Sequence, residues 1–247
     1  MIVVETVIVA FSMFSALPMP RVDWNERNLR YSLCAFPLVG AMVGLVCWGW
    51  VWLCERLGLA ELLRGAGLSV LPVLLTGGIH LDGFADTWDA LSSHASPERK
   101  REILKDPRLG AFAAIHLGVY FIAVFALWTE LPRFSPAVIV LLFTLSRTLS
   151  GLALTVFPLA PGSGLARSFA EAADRRRVRI VLLLLALCLI AGLFACGAWV
   201  SVLMAGVVFG LYYHTAVKRF GGLSGDLAGW FLQLAELGML AGLYGMR

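Results

Sequence analysis

Long apolar runs separated by short polar stretches dominate the pattern of this chain. Most of these runs approach the ~20 residues that an α-helix needs to cross the hydrocarbon core of a bilayer. The pattern therefore predicts an all-α, polytopic integral membrane protein with seven or eight membrane helices. The predicted segments are 3–17, 31–53, 68–91, 109–127, 136–157, 178–196, 199–216 and 226–243.

The count is seven or eight because the first segment is short, carries Glu5 and ends in Leu17-Pro18-Met19-Pro20. It is either a full span or a partial or interfacial helix. A cleaved signal peptide is not expected, because no Lys or Arg precedes the apolar run. Composition agrees with a membrane protein: 60% of the residues are hydrophobic, 15% are charged and the mean hydropathy is +0.83.

Most of the 20 Lys and Arg residues fall in alternate loops, around Arg21, Arg99, Arg167 and Lys218. Short cytoplasmic loops carry an excess of basic residues, so we expect these loops to face the cytoplasm. An eight-segment count then places both termini outside, and a partial first segment would move only the N-terminus. Without repeats or long linkers, residues 1–247 are predicted to form a single membrane-embedded domain.

The net charge of +4 is spread over loops that topology alone makes basic, so it does not indicate nucleic-acid binding. The run Arg175-Arg176-Arg177 is typical of contact with anionic lipid headgroups, which makes the bilayer the expected partner. The five cysteines show no C-x-x-C spacing and are interpreted as reduced packing residues. The sequence leaves a homo-oligomer open.

Three aspartates stand out at the end of the third segment. Asp82, Asp86 and Asp89 follow one another at i, i+4 and i+7, which places them on one face of a helix. Like charges that converge in a partly desolvated site are relieved by protonation or by a bound cation. Oxygen ligands favour a hard ion, so the sequence predicts Mg²⁺ or Mn²⁺ rather than zinc. The alternative is that the aspartates cap helices or pair with nearby basic residues.

His80 precedes this stripe, between the glycines Gly77-Gly78 and Gly83. In a regular helix it falls roughly opposite Asp82 and would hydrogen-bond a neighbouring helix. If the glycines break the helix, irregular backbone at this depth indicates a cavity, and His80 joins the site.

Two polar strings lie on the same predicted membrane face. Lys105-Asp106-Pro107-Arg108 supplies cations and a carboxylate, and Gly221-Gly222-Leu223-Ser224-Gly225-Asp226 opens the last segment. A glycine-rich helix N-terminus favours phosphate, so with the aspartates this string predicts a diphosphate site. The other interpretation is a turn in which Ser224 or Asp226 caps the helix.

Arg147 and Glu236 lie within apolar segments. Ionisable residues in a membrane are costly and indicate function by default. They either form an intramembrane ion pair, or Arg147 binds a substrate phosphate or amide.

The string from Gly77 to Asp86, followed by Asp89, resembles the signature of the cobalamin synthase family, the adenosylcobinamide-GDP ribazoletransferases. Further similarity covers most of the chain in order and spacing: 17–20, 36–40, 105–110, 146–147, 164–165, 221–226 and Glu236.

This resemblance implies a Mg²⁺-dependent transferase of the bacterial cytoplasmic (inner) membrane that completes cobalamin biosynthesis, with its site facing the cytoplasm. The ribose 3′ hydroxyl of α-ribazole, or of its 5′-phosphate, would attack the corrinoid-side phosphorus of adenosylcobinamide-GDP. GMP would leave, and adenosylcobalamin or its 5′-phosphate would form.

On this resemblance the polar residues take three roles. The metal ligands are Asp82 and Asp86, with Asp106 or Asp226 in addition. Proton transfer falls to Asp89, which is otherwise a ligand, or to His80. Substrate contacts fall to Lys105, Arg108, Arg147, Gly221, Gly222 and Ser224.

Two other classes remain as alternatives. A CDP-alcohol phosphotransferase also expels a nucleotide monophosphate at membrane-helix aspartates, but its usual D-x-x-D-G-x-x-A-R string is absent. A transporter would line an ion path with Asp82, Asp86, Arg147 and Glu236, whereas most ionisable residues here cluster at one face.

Overall fold

The computed structural model describes residues 2–131 and 135–246. Twelve helices make up the secondary structure of these ranges, and one isolated bridge joins Leu159 to Leu223. The helices are α1 (Ile2–Phe14), α2 (Glu26–Leu29), α3 (Ser32–Leu57), α4 (Glu61–Thr76), α5 (Ile79–Ser92), α6 (Pro97–Ile103), α7 (Ala111–Glu130), α8 (Pro136–Val156), α9 (Gly164–Ala172), α10 (Arg175–Ala195), α11 (Trp199–Phe220) and α12 (Gly225–Tyr244).

Six helices of the described ranges are long and apolar enough to cross a membrane: α3, α7, α8, α10, α11 and α12. The bent pair of α4 and α5 adds a seventh candidate span. The prediction of an all-α, multi-pass membrane protein is therefore confirmed. α1 has only 13 residues, which is shorter than a full span and agrees with the partial or interfacial alternative.

The predicted segment 68–91 is not one regular helix but part of the bent pair of α4 and α5, which agrees with the alternative in which the glycines break the helix. α4 begins earlier, at Glu61, and ends at Thr76, and α5 leaves it at an angle of 96°. The corner is made by Gly77 and Gly78, whose φ angles are 64° and 77°. Two successive residues in the left-handed region end a right-handed helix, and glycine adopts this conformation without steric cost.

α8 is the most buried of the candidate spans and packs extensively against α3 and α10. α12 packs against α11 and α5. The contact between α5 and α12 is a backbone contact: a Cβ on Gly83 would lie 2.6 Å from the carbonyl oxygen of Asp226, and one on Gly229 would lie 2.7 Å from that of His80. Two reciprocal glycines therefore allow these helices to touch, which fixes the spacing between the residues they carry.

Two connections between helices lie at the end of the bundle that holds the polar residues. α6 begins with Pro97 in its first turn, and the Ser96 hydroxyl accepts a hydrogen bond from the Arg99 N–H. The segment before α9 pairs with the segment before α12, because Leu223 donates to the Pro158 carbonyl at 2.8 Å and Ala160 donates to that of Leu223 at 3.0 Å. These bonds hold both helix starts side by side.

Candidate active site

A cavity with a volume of about 330 Å³ opens where α5, α8, α9 and α12 meet, next to the end of α1. This size lies at the lower end of the range for small-molecule sites. Most of its wall is apolar, and its polar side chains fall into three groups. They are the carboxylates of Asp82 and Asp226, the cations of Arg101 and Lys105, and the polar groups of His80, Ser150, Ser163 and Ser224.

Asp82 and Asp226 come to the cavity from α5 and α12, which the glycine contact holds together. Asp86 lies one turn after Asp82, and its carboxylate is within electrostatic range of Asp82, Asp226 and Asp89. The predicted aspartate stripe is therefore intact on α5, and α12 adds a fourth carboxylate. The cavity itself is lined by Asp82 and Asp226.

Asp89 lies at the other end of the stripe, away from the cavity wall. Its carboxylate packs against the Cα of Gly110, the residue before α7, where a side chain would overlap both oxygens. The N-terminus of a helix carries a partial positive charge, which stabilises a carboxylate at that position.

His80 lines the cavity together with Asp82, although the two would face opposite sides of a continuous helix. The cavity contacts both side chains because it reaches around the first turn of α5, which begins at Ile79, just after the corner at Gly77 and Gly78. The imidazole is 5% exposed, and its Nε2 has no hydrogen-bond partner in the described part of the chain.

Lys105 lies at the cavity, where its ammonium group approaches Gly162 in the loop before α9. Arg101 lies one turn earlier and donates a 2.8 Å hydrogen bond to the carbonyl oxygen of Phe220, the last residue of α11. Both cations therefore border the cavity that holds Asp82 and Asp226. The sequence interpretation missed Arg101, whose i, i+4 spacing from Lys105 was an available signal.

Asp106 and Arg108 lie outside the cavity and bind each other. The guanidinium of Arg108 donates two hydrogen bonds to the Asp106 carboxylate, at 2.9 and 2.7 Å, and its backbone N–H adds a third at 3.1 Å. The side-chain bonds to Arg108 lower the pKa of Asp106 to about 2. In this arrangement neither residue reaches the cavity wall, so their predicted contacts with metal and phosphate require this pair to open.

Arg147 is buried and forms an ion pair with Glu236. Its guanidinium also donates to the Ser146 hydroxyl at 2.9 Å and lies 5.4 Å from the centre of the Phe143 ring. The structure thus contains the intramembrane ion pair that was one of the two alternatives for these residues. Neither side chain lines the cavity of Asp82.

The string before α12 forms a turn, as the second interpretation had it. Gly221 ends α11 with a φ of 72°, and the Gly222 N–H donates to the Ala216 carbonyl at 2.8 Å. The Ser224 hydroxyl caps α12 by accepting from the Leu227 N–H at 3.3 Å. Ser224 lines the cavity, whereas Gly221 and Gly222 are outside its wall.

A hard cation fits this donor set only with help from a substrate. No group of three or more His, Cys, Asp or Glu side chains in residues 2–131 and 135–246 is arranged to hold a metal ion. Asp82 and Asp226 supply carboxylate oxygens at the cavity, with Asp86 nearby. Mg²⁺ is commonly held by one or two carboxylates, substrate phosphates and water, which matches this incomplete set.

Several cavity residues carry no signal that a sequence alone reveals. Phe14, Phe36 and Phe169 lie in unrelated segments, and Ser150 lies in the middle of an apolar run. Aromatic and hydroxyl residues are common in membrane helices, so only the packing of α1, α3, α8 and α9 shows that they meet.

The chain is similar to one group of enzymes over nearly its full length. A sequence model described as cobalamin-5-phosphate synthase matches residues 6–244. A relative from Lachnoclostridium phytofermentans, named adenosylcobinamide-GDP ribazoletransferase, is 42% identical over 95% of this chain and 90% of its own length. Relatives of the same name come from Pseudomonas putida (strain GB-1) and Clostridium botulinum (strain Alaska E43). They are 38% and 30% identical, over 96% and 92% of this chain and 97% and 92% of their own lengths. No solved structure matches the chain.

Proposed function

Because the chain belongs to the cobalamin-5-phosphate synthase family, we propose that it transfers adenosylcobinamide phosphate from adenosylcobinamide-GDP to α-ribazole or α-ribazole 5′-phosphate. The other product is GMP, and the corrinoid product is adenosylcobalamin or its 5′-phosphate. Family membership favours this reaction over the phosphotransferase of CDP-alcohols and over the transporter.

The observation that carries the proposal is the pairing of charges around one cavity. Asp82 and Asp226 line it together with Lys105 and Arg101. A diphosphate needs cations around its oxygens. A metal ion that lies between the diphosphate and the carboxylates attracts both and so offsets their mutual repulsion. The cavity thus offers both halves of a metal-diphosphate site.

The reaction exchanges one phosphorus–oxygen bond for another. The ribose 3′ hydroxyl attacks the phosphorus that carries the corrinoid, and the bond from this phosphorus to the bridging oxygen breaks. The electron pair of that bond leaves with GMP, and the hydroxyl proton passes to a base of the site. Such transfers depend mainly on positioning and on charge stabilisation, without a covalent enzyme intermediate.

In this proposal Asp82 and Asp226 hold Mg²⁺, with Asp86 as a further ligand, and Asp106 contributes only if it leaves Arg108. Bound Mg²⁺ would neutralise the charge that develops on the diphosphate. Lys105 and Arg101 bind the phosphate oxygens from the loop side. The proton acceptor is Asp89 or His80, of which His80 lines the cavity.

We also assign the chain to the bacterial cytoplasmic membrane, with the cavity at the cytoplasmic side. The support is the distribution of Lys and Arg, since the basic loops around Arg99, Arg167 and Lys218 adjoin α6, α9 and the end of α11. The cytoplasm is also the compartment in which nucleotide substrates are dissolved.

The decisive assay uses the purified full-length protein in liposomes with adenosylcobinamide-GDP, α-ribazole and Mg²⁺, and follows the release of GMP. We expect GMP and the corrinoid product in equal amounts, and none of either when α-ribazole is omitted. A folded sample that releases no GMP contradicts the proposal. GMP release without α-ribazole would indicate a hydrolase instead.

A further inference from the structure

One end of the cavity is lined by aromatic rings from four separate elements. The ring centroids of Phe14 and Phe36 are 4.1 Å apart, and the Phe14 ring lies 5.7 Å from that of Phe169. The imidazole of His80 lies 6.3 Å from Phe14, nearly parallel to it, and 6.0 Å from Phe36. All four residues belong to the cavity wall. We call this set the aromatic end.

Two buried polar groups at the same cavity have no hydrogen-bond partner among the described residues. One is Nε2 of His80, which is 5% exposed, and the other is the hydroxyl of Ser150, which is 1% exposed. Buried polar groups in native proteins nearly always have partners, so an unpartnered pair on one cavity wall indicates a ligand that supplies them. The ligand should be flat and apolar, with few hydrogen-bonding atoms.

We propose that the aromatic end binds the benzimidazole base of α-ribazole, and that His80 donates a hydrogen bond from Nε2 to the unsubstituted ring nitrogen. This assignment rests on the proposed function, since it names the place of one substrate in that reaction. The planar base stacks against Phe14 and Phe36, as heteroaromatic bases do on aromatic side chains. The ring nitrogen has one lone pair, which His80 satisfies, so the hydroxyl of Ser150 on the same wall is left for the ribose of the same nucleoside.

Two other ring systems of the substrates, guanine and the corrin macrocycle, fit this end less well. Guanine carries several donors and acceptors on its edges, and in this wall most of them would be buried without partners, which is costly. The corrinoid is far larger than a cavity of about 330 Å³, so it must stay at the mouth. The benzimidazole base presents a single acceptor and an otherwise apolar ring, which matches the wall.

This placement orients the nucleoside for the reaction. His80 and Asp82 are two residues apart on α5 and line the same cavity, so a base held at His80 extends its ribose toward the carboxylates. His80 then acts as a binding residue, and proton acceptance falls to a carboxylate of the acidic group.

The test measures binding of two nucleosides to the purified protein without corrinoid, by calorimetry in detergent. One is α-ribazole and the other is its indole analogue, in which a C–H replaces the ring nitrogen. We expect the unaltered protein to bind α-ribazole about ten-fold more tightly, the value of one buried hydrogen bond. His80→Phe, which keeps an aromatic ring but lacks Nε2, should bind both alike. The matched control is His214→Phe on the exposed face of α11, which should still discriminate.

Two further measurements protect the test against a variant that does not fold. In the unaltered protein, free 5,6-dimethylbenzimidazole should compete with α-ribazole, and free guanosine should not. In steady state, His80→Phe should raise the KM for α-ribazole about ten-fold and leave the KM for adenosylcobinamide-GDP within two-fold.

The inference is overturned if His80→Phe still discriminates between the nucleosides, or if guanosine displaces α-ribazole. If His80→Phe raises only the KM for adenosylcobinamide-GDP, a part of that substrate binds at the aromatic end instead. These outcomes leave the transferase activity intact, whereas a protein that binds α-ribazole and forms no GMP contradicts the proposed function and leaves the base site standing.

Discussion

The carboxylate of Asp89 packs against the Cα of Gly110, which carries no side chain and lies at the N-terminus of α7. Gly110 has a φ of −79°, which any L-residue can adopt, so its lack of a side chain serves this contact rather than an unusual backbone. The contact holds one end of the acidic stripe in place.

We expect Gly110→Ala to displace Asp89 and to lower the rate of GMP release by at least about ten-fold, because small misplacements at a reacting site are costly. The thermal midpoint should change little. Gly118→Ala, in the same helix and with open space around it, is the control and should keep full activity. Normal turnover in Gly110→Ala would show that the position of Asp89 does not matter to the reaction.

Asp82→Asn should reduce turnover by about 10²-fold or more while leaving the protein folded, since it removes one charge from a side chain that is exposed to the cavity. The measurement is GMP release together with a melting curve in detergent. Glu171→Gln, on the exposed face of α9, provides a charge-matched control with unchanged activity. If Asp82→Asn turns over near the normal rate, the aspartate stripe has a structural role.

Arg147→Met should destabilise the fold by about 3–5 kcal/mol, because it leaves the Glu236 carboxylate without its partner among apolar helices. Denaturant titration in detergent would measure the loss. The double variant Arg147→Met, Glu236→Leu should recover much of it, since both charges are then gone. A stable Arg147→Met protein with a raised KM for adenosylcobinamide-GDP would instead support the predicted phosphate contact.

Mg²⁺ should bind weakly to the protein alone and at least about ten-fold more tightly when a diphosphate substrate is present. The reason is that the described residues contain no three-ligand group, so the substrate must complete the metal shell. Calorimetric titration of the protein with Mg²⁺, in the presence and in the absence of GDP, gives both affinities. Equal affinities would contradict a shared metal-diphosphate site, and EDTA should abolish turnover reversibly.

The proposed orientation can be tested with single cysteines at opposite ends of α10. Cys196 follows the last residue of α10, and Ser168 lies in α9, the helix that precedes α10. In a chain without the other native cysteines, a membrane-impermeant maleimide should label Cys196 in cells with a permeabilised outer membrane. Ser168→Cys should react only in inverted vesicles. Labelling in the reverse order would place the cavity outside.

Hydropathy was sufficient to predict six of the long helices and their approximate bounds, because lipid exposure demands apolar side chains over a fixed length. It could not predict the corner at Gly77 and Gly78, since two glycines change the backbone direction without changing the average hydropathy of the window. Hydropathy also could not predict that His80 and Asp82 line one cavity, because this depends on a cavity that reaches around the first turn of α5.

The sequence predicted the site residues that lie on one helix, but not the contacts that form where several helices meet. The stripe of Asp82, Asp86 and Asp89 follows from helical spacing alone. The pairing of Asp106 with Arg108 depends on a loop conformation, and the aromatic end depends on how four distant elements pack. Such contacts lie beyond any pattern within a single segment.

The corner between α4 and α5 also limits how far this part of the chain extends in one direction. As one straight helix, residues 61–92 would extend ~48 Å, well beyond the ~30 Å of a hydrocarbon core. Helices that meet at 96° cannot both follow the membrane normal, so the chain changes direction instead of going deeper. The glycine pair thus divides a stretch that is too long for one straight span into two shorter helices.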